Sequence, residues 1–448
     1  MLLSIVATET SALTVISVPA VGARGDLTFL QLSFGYLVGR IVVAWWLLPG
    51  YFAGEQETAY QRLESRFGPR TRRLVSVVFL ATRFLGDGVR IFAGAIPLAL
   101  LTGWSIPAAI LAMSFVTLVY TWFGGLKAVV WADVVQLVVY VSGGIVALWI
   151  ATDMAGGAGR VLALAGEAGK LRLIVPGIDF TETYTLFGGL LGGAMLSMAS
   201  HGTDHLIVQR LLATRSLSDA RRALVGSGIA VILQFLLFLS VGIAIWAAGL
   251  ARDDVAPDSI FPQFIMDHLP TGIAGLVVAG ILAAAMSTIS SSINALAGSV
   301  THDLYASWTG RRDPVHLLRV GRVVTVGWGL GLVGAAMFFY AGYAAGSQTP
   351  LVEVALSIAS VTYGALLGTY VLASRFERTM QRDVVTAVVV TVLVMLVVVF
   401  ARQLGAIGGL EWLAPAGRLA WPWYVPLGTL LTVLTGAGMS LLPHQRTA

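Results

Sequence analysis

Apolar runs of about twenty residues recur along almost the whole chain, and a helix needs about that length to cross the hydrocarbon of a bilayer. Read off one by one, they give twelve spans, at 2–19, 27–52, 74–102, 105–123, 128–152, 183–207, 223–249, 272–300, 323–342, 350–373, 383–401 and 421–442. In lipid every backbone polar group must be bonded internally, which leaves helices or a closed barrel. The length of the runs and their lack of alternation exclude the barrel. An all-α polytopic membrane protein with about twelve transmembrane helices is therefore expected. Only 11% of the residues are charged and 57% are hydrophobic, far from the balance of a soluble domain.

Charge is informative by location. Counted from the first span, the even loops hold seventeen Lys and Arg, among them Arg62, Arg72, Arg221, Arg311 and Arg378, against seven in the odd loops. By the positive-inside rule the even loops face the cytoplasm, as do both chain ends. The net charge of +5 thus belongs to a membrane orientation and implies no nucleic-acid partner. With no cysteine, disulfides, thiolate metal sites and cysteine nucleophiles are excluded. Met1 opens directly into apolar sequence that already holds Glu9, without the basic leader of a signal peptide. An earlier helix is expected to precede it.

Two spans are interrupted by polar residues: the first at Ala7-Thr-Glu-Thr-Ser-Ala12, the sixth at Ser200-His-Gly-Thr-Asp-His205. They lie five spans apart. Matching breaks in two halves point to an inverted-repeat transporter with its site beside unwound backbone; two ordinary polar kinks are the alternative. A third signal is the hydroxyl-rich run from Ala283 to Asn294, where Ala284, Ser287, Thr288, Ser291 and Asn294 share one helix face and Ser290 lies beside them. Such a stripe offers neutral oxygens to a hard cation such as Na+, or simply lets helices approach closely.

Charges inside other spans also need partners. Arg83, Asp87 and Arg90 fall on one face of the third span, a spacing that predicts a structural ion-pair cluster. Asp133, near the start of the fifth, suits a loop edge or an ion ligand equally well. The segment 58–68 predicts a short amphipathic helix, and the segment 156–181 an outer lid. No Gly-x-x-x-x-Gly-Lys-[Ser/Thr] loop, His-Glu-x-x-His pair or Gly-x-Ser-x-Gly elbow is present, so neither ATP-driven transport nor an enzyme is expected.

Four motifs in order resemble the sodium:solute symporter family: Ala7-Thr-Glu-Thr-Ser11, the run from Gly124 to Gln136, Thr203-Asp-His-Leu-Ile-Val-Gln-Arg210, and Ala283-Ala-Ala-Met-Ser-Thr288. The resemblance implies a leucine-transporter-like five-plus-five inverted repeat with two C-terminal helices, and a helix before the core. It divides the chain into a first repeat (1–152), an outer loop (153–182), a second repeat (183–373) and peripheral helices (374–448). It also implies a shared Na+ site made by the carbonyls of Ala7, Thr10 and Ala284 and the hydroxyls of Ser287 and Thr288. Relatives of the sialic-acid branch add a second Na+ site, which falls here on Ser290, Ser291 and Asp133.

For the solute, the family positions are Glu9, Thr14, Thr203, Asp204 and His205, with Gln234 a weaker polar lead. The Gln, Glu and Lys of the sugar-binding branch are missing: Thr14, an apolar or Gly position near Gly35, and Val231 stand in their places. The expected activity is symport, driven by Na+ with no organic cofactor, of a small polar solute (a sugar, sialic acid, an amino acid or a monocarboxylate) across a plasma membrane, as in the bacterial inner membrane. Proton coupling through Glu9, Asp133, Asp204 or His205 is the alternative, as is a sensor that keeps the fold without transporting.

Overall fold

The computed structural model describes residues 2–53, 59–123 and 126–442; the side chains of 2–4, 8 and 123–133 lie outside the described set. The first expected break is real. Helix α1 (Leu2–Glu9) ends and α2 (Ala12–Arg24) begins after Thr10 and Ser11, with Ser11 extended at φ −89° and ψ 174°. Next come α3 (Leu30–Val42, continued by a π turn, Val43–Leu47), α4 (Gln61–Phe67), α5 (Pro69–Thr102), α6 (Ile106–Phe123), α7 (Leu126–Met154) and α8 (Ala158–Glu167). The second break separates α9 (Gly193–Gly202) from α10 (His205–Leu212). The remaining helices are α11 (Leu217–Ala247), α12 (Ile260–His268), α13 (Thr271–Gly298), α14 (Pro314–Ala344), α15 (Leu351–Arg375), α16 (Gln381–Val399) and α17 (Tyr424–Ser440). No strand occurs among the described residues.

Local chemistry places several ends. Ser216 caps α11 by accepting from the backbone N–H of Asp219 at 3.1 Å, and Asp313 caps α14 ahead of Pro314 by accepting from His316 N–H at 3.0 Å. Gly103, at φ 71°, stops α5 in the left-handed region. Among the described residues, eight stretches are long and apolar enough by themselves to cross a membrane. The four other expected spans are the two broken helices and the shorter α6 and α17, and unwinding at the breaks is why the first two divide.

Packing joins the pieces. A Cβ at Gly242 of α11 would collide with the Pro19 carbonyl of α2, and one at Gly22 with the Leu239 carbonyl of α11, so these helices touch backbone to backbone. On the inner face α4 forms inside the segment expected to be amphipathic, and Tyr370 Oη reaches the Ala59 carbonyl at 2.5 Å.

On the outer face the segment after α8 is tied down. Lys170 Nζ donates to the carbonyls of Ala23 and Gly25, both at 2.8 Å, and sits 4.7 Å over the Trp246 ring, satisfying carbonyls that the end of α2 leaves open. Val175 N–H reaches Gln31 Oε1 at 3.1 Å, and Trp423 Nε1 reaches the Asp179 carbonyl at 3.2 Å. Asp258, fully buried in the α11–α12 connection, accepts from Ser17 Oγ and from Leu351 N–H at 3.1 Å. It thereby caps α15 from another element. Burial pushes its carboxyl up to about 6.

Candidate functional site

The two breaks meet at one cavity of about 120 Å³. Glu9, Ser11 and Thr14 supply wall from the first broken helix, Ser197, Ser200 and His201 from α9, and Leu206 and Ile207 from α10. Tyr36 of α3, Arg83 and Arg90 of α5, Phe235 of α11 and Tyr363 of α15 complete much of the rest, and Thr288 brings α13 to the same wall. Of the residues expected at the solute, Glu9 and Thr14 therefore line the cavity.

Thr203, Asp204 and His205 do not line it. Thr203 Oγ1 bonds back to the Ala199 carbonyl at 2.8 Å. Asp204 is fully buried: its Oδ1 accepts from Leu206 N–H at 3.0 Å, and its Oδ2 from Arg83 Nη2 at 2.8 Å and Tyr363 Oη at 2.7 Å. Both oxygens are committed to holding the break in α9–α10. His205 packs against Tyr60 and Phe79 instead.

Glu9 is the cavity's half-buried acid, and the fully buried Arg40 answers it. One guanidinium nitrogen of Arg40 donates to both Glu9 oxygens, another donates to Ser227 Oγ at 2.8 Å, and His201 Nε2 stands 3.4 Å from Glu9. A charge in the middle of the 27–52 span was the signal that could have singled out Arg40 from sequence. Gln234, the weak lead, joins the first break by accepting from Thr10 Oγ1 at 2.8 Å.

The expected ion cluster on α5 forms, with Asp87 Oδ1 2.6 Å from Arg90 and 3.8 Å from Arg83. Both arginines also face the cavity, so glue and site coincide. Arg90 uses one donor on Asp87, and a guanidinium has five.

On α13, Thr288 Oγ1 donates to the Ala284 carbonyl at 3.0 Å, which leaves the hydroxyl lone pairs able to face a cation. Ser287 and Thr288 are both buried, as are Ala7 and Thr10. One turn further, Ser290 Oγ accepts from Thr121 Oγ1 at 2.8 Å, and Ser291 Oγ accepts from Arg210 Nη2 at 3.1 Å. The side chain of Asp133 lies outside the described set. Asn294 is exposed and lines a wider inner-face cavity of about 1520 Å³ that carries Arg72, Arg311, Arg312 and Arg322.

Broken helices that converge on a polar cavity within a bundle of membrane-length helices are the arrangement of the leucine-transporter-like fold. The family model described as "Sodium:solute symporter family" matches residues 1–379, and the chain belongs to that family. The sodium-dependent multivitamin transporter of Oryctolagus cuniculus is 29% identical over 386 residues, 84% of this chain and 59% of that protein. The chain thus spans less than two thirds of that relative. The sodium/sialic acid symporter NanT of Aliivibrio fischeri is 25% identical over 442 residues, 97% of this chain and 83% of that one. In fold, the chain resembles the substrate-bound outward-open structure of a Na+-coupled sialic acid symporter, with a TM-score of 0.84, 23% identity and coverage of 99% and 89% of the two chains.

Proposed function

We propose that the chain is a sodium-coupled symporter of a small organic anion, of the monocarboxylate class, built from repeats at 1–152 and 183–373. The observation that carries this reading is the composition of the cavity. The carboxylates of Glu9 and Asp204 are held by Arg40 and Arg83, whereas Arg90 lines the same cavity with N–H donors to spare. Tyr36 Oη, buried there without a partner among the described residues, adds a donor for the second oxygen of a carboxylate.

Na+ binds the carbonyls of Ala7, Thr10 and Ala284 and the hydroxyls of Ser287 and Thr288, five oxygens without formal charge. Its arrival draws α13 and the first break together, and Thr288, on the wall of the solute cavity, passes that ordering to the solute site. Coupling requires this differential affinity: the solute binds better to the sodium-ordered conformation, and by linkage Na+ binds better with solute present. The pairing of Glu9 with Arg40 argues against Glu9 as a proton carrier.

The test is uptake into proteoliposomes of short monocarboxylates, neutral sugars and amino acids, with Na+ or choline outside. Monocarboxylate uptake that needs Na+ and is lost in Arg90→Gln is the expected result. Sodium-driven uptake of a neutral sugar, untouched by Arg90→Gln, would sink the anion assignment.

A further inference from the structure

The inner-face cavity of about 1520 Å³ shares no wall residue with the solute cavity, and its own wall is basic. It opens between the start of α5, the inner end of α6, the π turn that continues α13 (Ser299–Ala306) and the first turns of α14. Arg72, one of its guanidiniums, is already committed: it donates to Glu64 Oε2 at 2.5 Å and to Asp303 Oδ1 at 2.7 Å. Glu64 is the one acid among the described residues of the wall, so no free carboxylate there answers Arg311, Arg312 and Arg322. All three are exposed. Arg311 reaches His316 at 3.3 Å and Arg322 lies 5.9 Å from the Trp122 ring centroid, contacts that leave the positive charge in place. Uncancelled charge gathered in a concave site attracts an anion. The flanking surface says which kind. Phe115, Val119 and Trp122 follow one another on one face of α6, all exposed, and Val323 and Leu330 are exposed on α14. The cavity thus lies at the cytoplasmic end of an apolar, lipid-facing surface, with a tryptophan at the level where such rings mark the membrane interface.

We propose that this cavity binds the phosphate of an anionic phospholipid from the inner leaflet, held by Arg311, Arg312 and Arg322, with its acyl chains lying along α6 and α14. Guanidiniums pair with phosphate oxygens two at a time, which suits a fixed headgroup better than a diffuse cloud of counterions. Basic pockets between helices on the cytoplasmic side recognise headgroups in this way. Because Thr301 and His302 of the π turn also line the wall, the bound headgroup bridges the inner end of α13 to α14. The inference stands apart from the sodium-coupled reading and from the identity of the solute.

Native mass spectrometry of the full chain, equilibrated with equal amounts of phosphatidylglycerol and phosphatidylcholine of identical acyl chains, counts the lipids retained. The wild type is expected to keep phosphatidylglycerol roughly tenfold better, and the triple variant Arg311→Gln, Arg312→Gln, Arg322→Gln to lose that preference. A second triple variant, Arg215→Gln, Arg222→Gln, Arg378→Gln, removes the same charge from exposed arginines elsewhere on the inner face and is expected to keep it. Equal loss in both variants would show that overall inner charge attracts the lipid, and would overturn the site, as would a wild type with no preference. Displacement of phosphatidylglycerol by millimolar inorganic phosphate would also overturn it, by making the cavity a pocket for a soluble anion. Should the first triple variant fail to fold, the single change Arg312→Gln at an exposed side chain decides: a loss of roughly fivefold supports the proposal, and unchanged retention refutes it.

Discussion

Arg40, with no exposed surface, holds both carboxylate oxygens of Glu9 across 31 positions of sequence. The pair fixes the end of α1 to the last turn of α3, and the Ser227 bond extends the link to α11. Removing one partner of a buried pair leaves an uncompensated charge and costs about 3–5 kcal/mol. Arg40→Met should therefore lower the thermal unfolding midpoint strongly, and adding Glu9→Gln should restore part of the loss. A double variant no more stable than Arg40→Met would show that the arginine acts through packing alone.

Asp204 gives a contrasting case, because it bonds Arg83, Tyr363 and the start of α10 but lies off the cavity wall. Asp204→Asn is expected to destabilise the protein by about 3 kcal/mol through the stranded arginine. A residue that touches solute would behave differently, raising KM while leaving the unfolding midpoint in place. Thermal melts and uptake kinetics on the same preparation separate the two.

Ser287→Ala and Thr288→Ala should each raise the Na+ concentration for half-maximal uptake roughly tenfold, equivalent to about 1.4 kcal/mol of binding. Ser292, on the same helix and equally buried, is the control: Ser292→Ala should leave sodium dependence where it was. Equal effects at all three positions would point to helix packing as the stripe's role.

Asp258 predicts a pH dependence on the outer face. Its folded-state carboxyl titrates near 6 against an ordinary 3.8, so the folded protein favours the protonated form. The stability it contributes is complete below about pH 4 and is lost as pH rises through about 6, to a total of about 3 kcal/mol at roughly 1.4 kcal/mol per unit. Asp258→Asn should remove this slope from the unfolding midpoint between pH 4 and 7. An unchanged slope would assign it to other groups.

Both helix breaks were legible from sequence because polar groups clustered inside a lipid-length run must find bonds there, and unwound backbone beside a cavity supplies them. Glu9 and Thr14, expected at the solute from the resemblance, and Thr288, expected at the ion, all lie on one cavity wall. The partners of the buried charges were not legible. Arg40 finds Glu9 across 31 positions, and Arg83 finds Asp204 across 121, pairings that depend on how helices lie against one another and leave no local periodicity. For the same reason Asp204 and His205 read as solute contacts by position, when an arginine and a tyrosine from other helices had already claimed the aspartate. Arg210 closes the Thr203–Arg210 motif, yet only the apposition of α10 and α13 shows its hydroxyl partner.

The backbone contact of α2 with α11 at Gly22 and Gly242 removes a degree of freedom from the machine. The outer arm of the first broken helix cannot swing by itself; it is welded to a 31-residue lever, and a gate that opens on the outside must drag that lever along. Flexure is then concentrated at Thr10 and Ser11, the two residues that join a stiff outer beam to the short stub of α1.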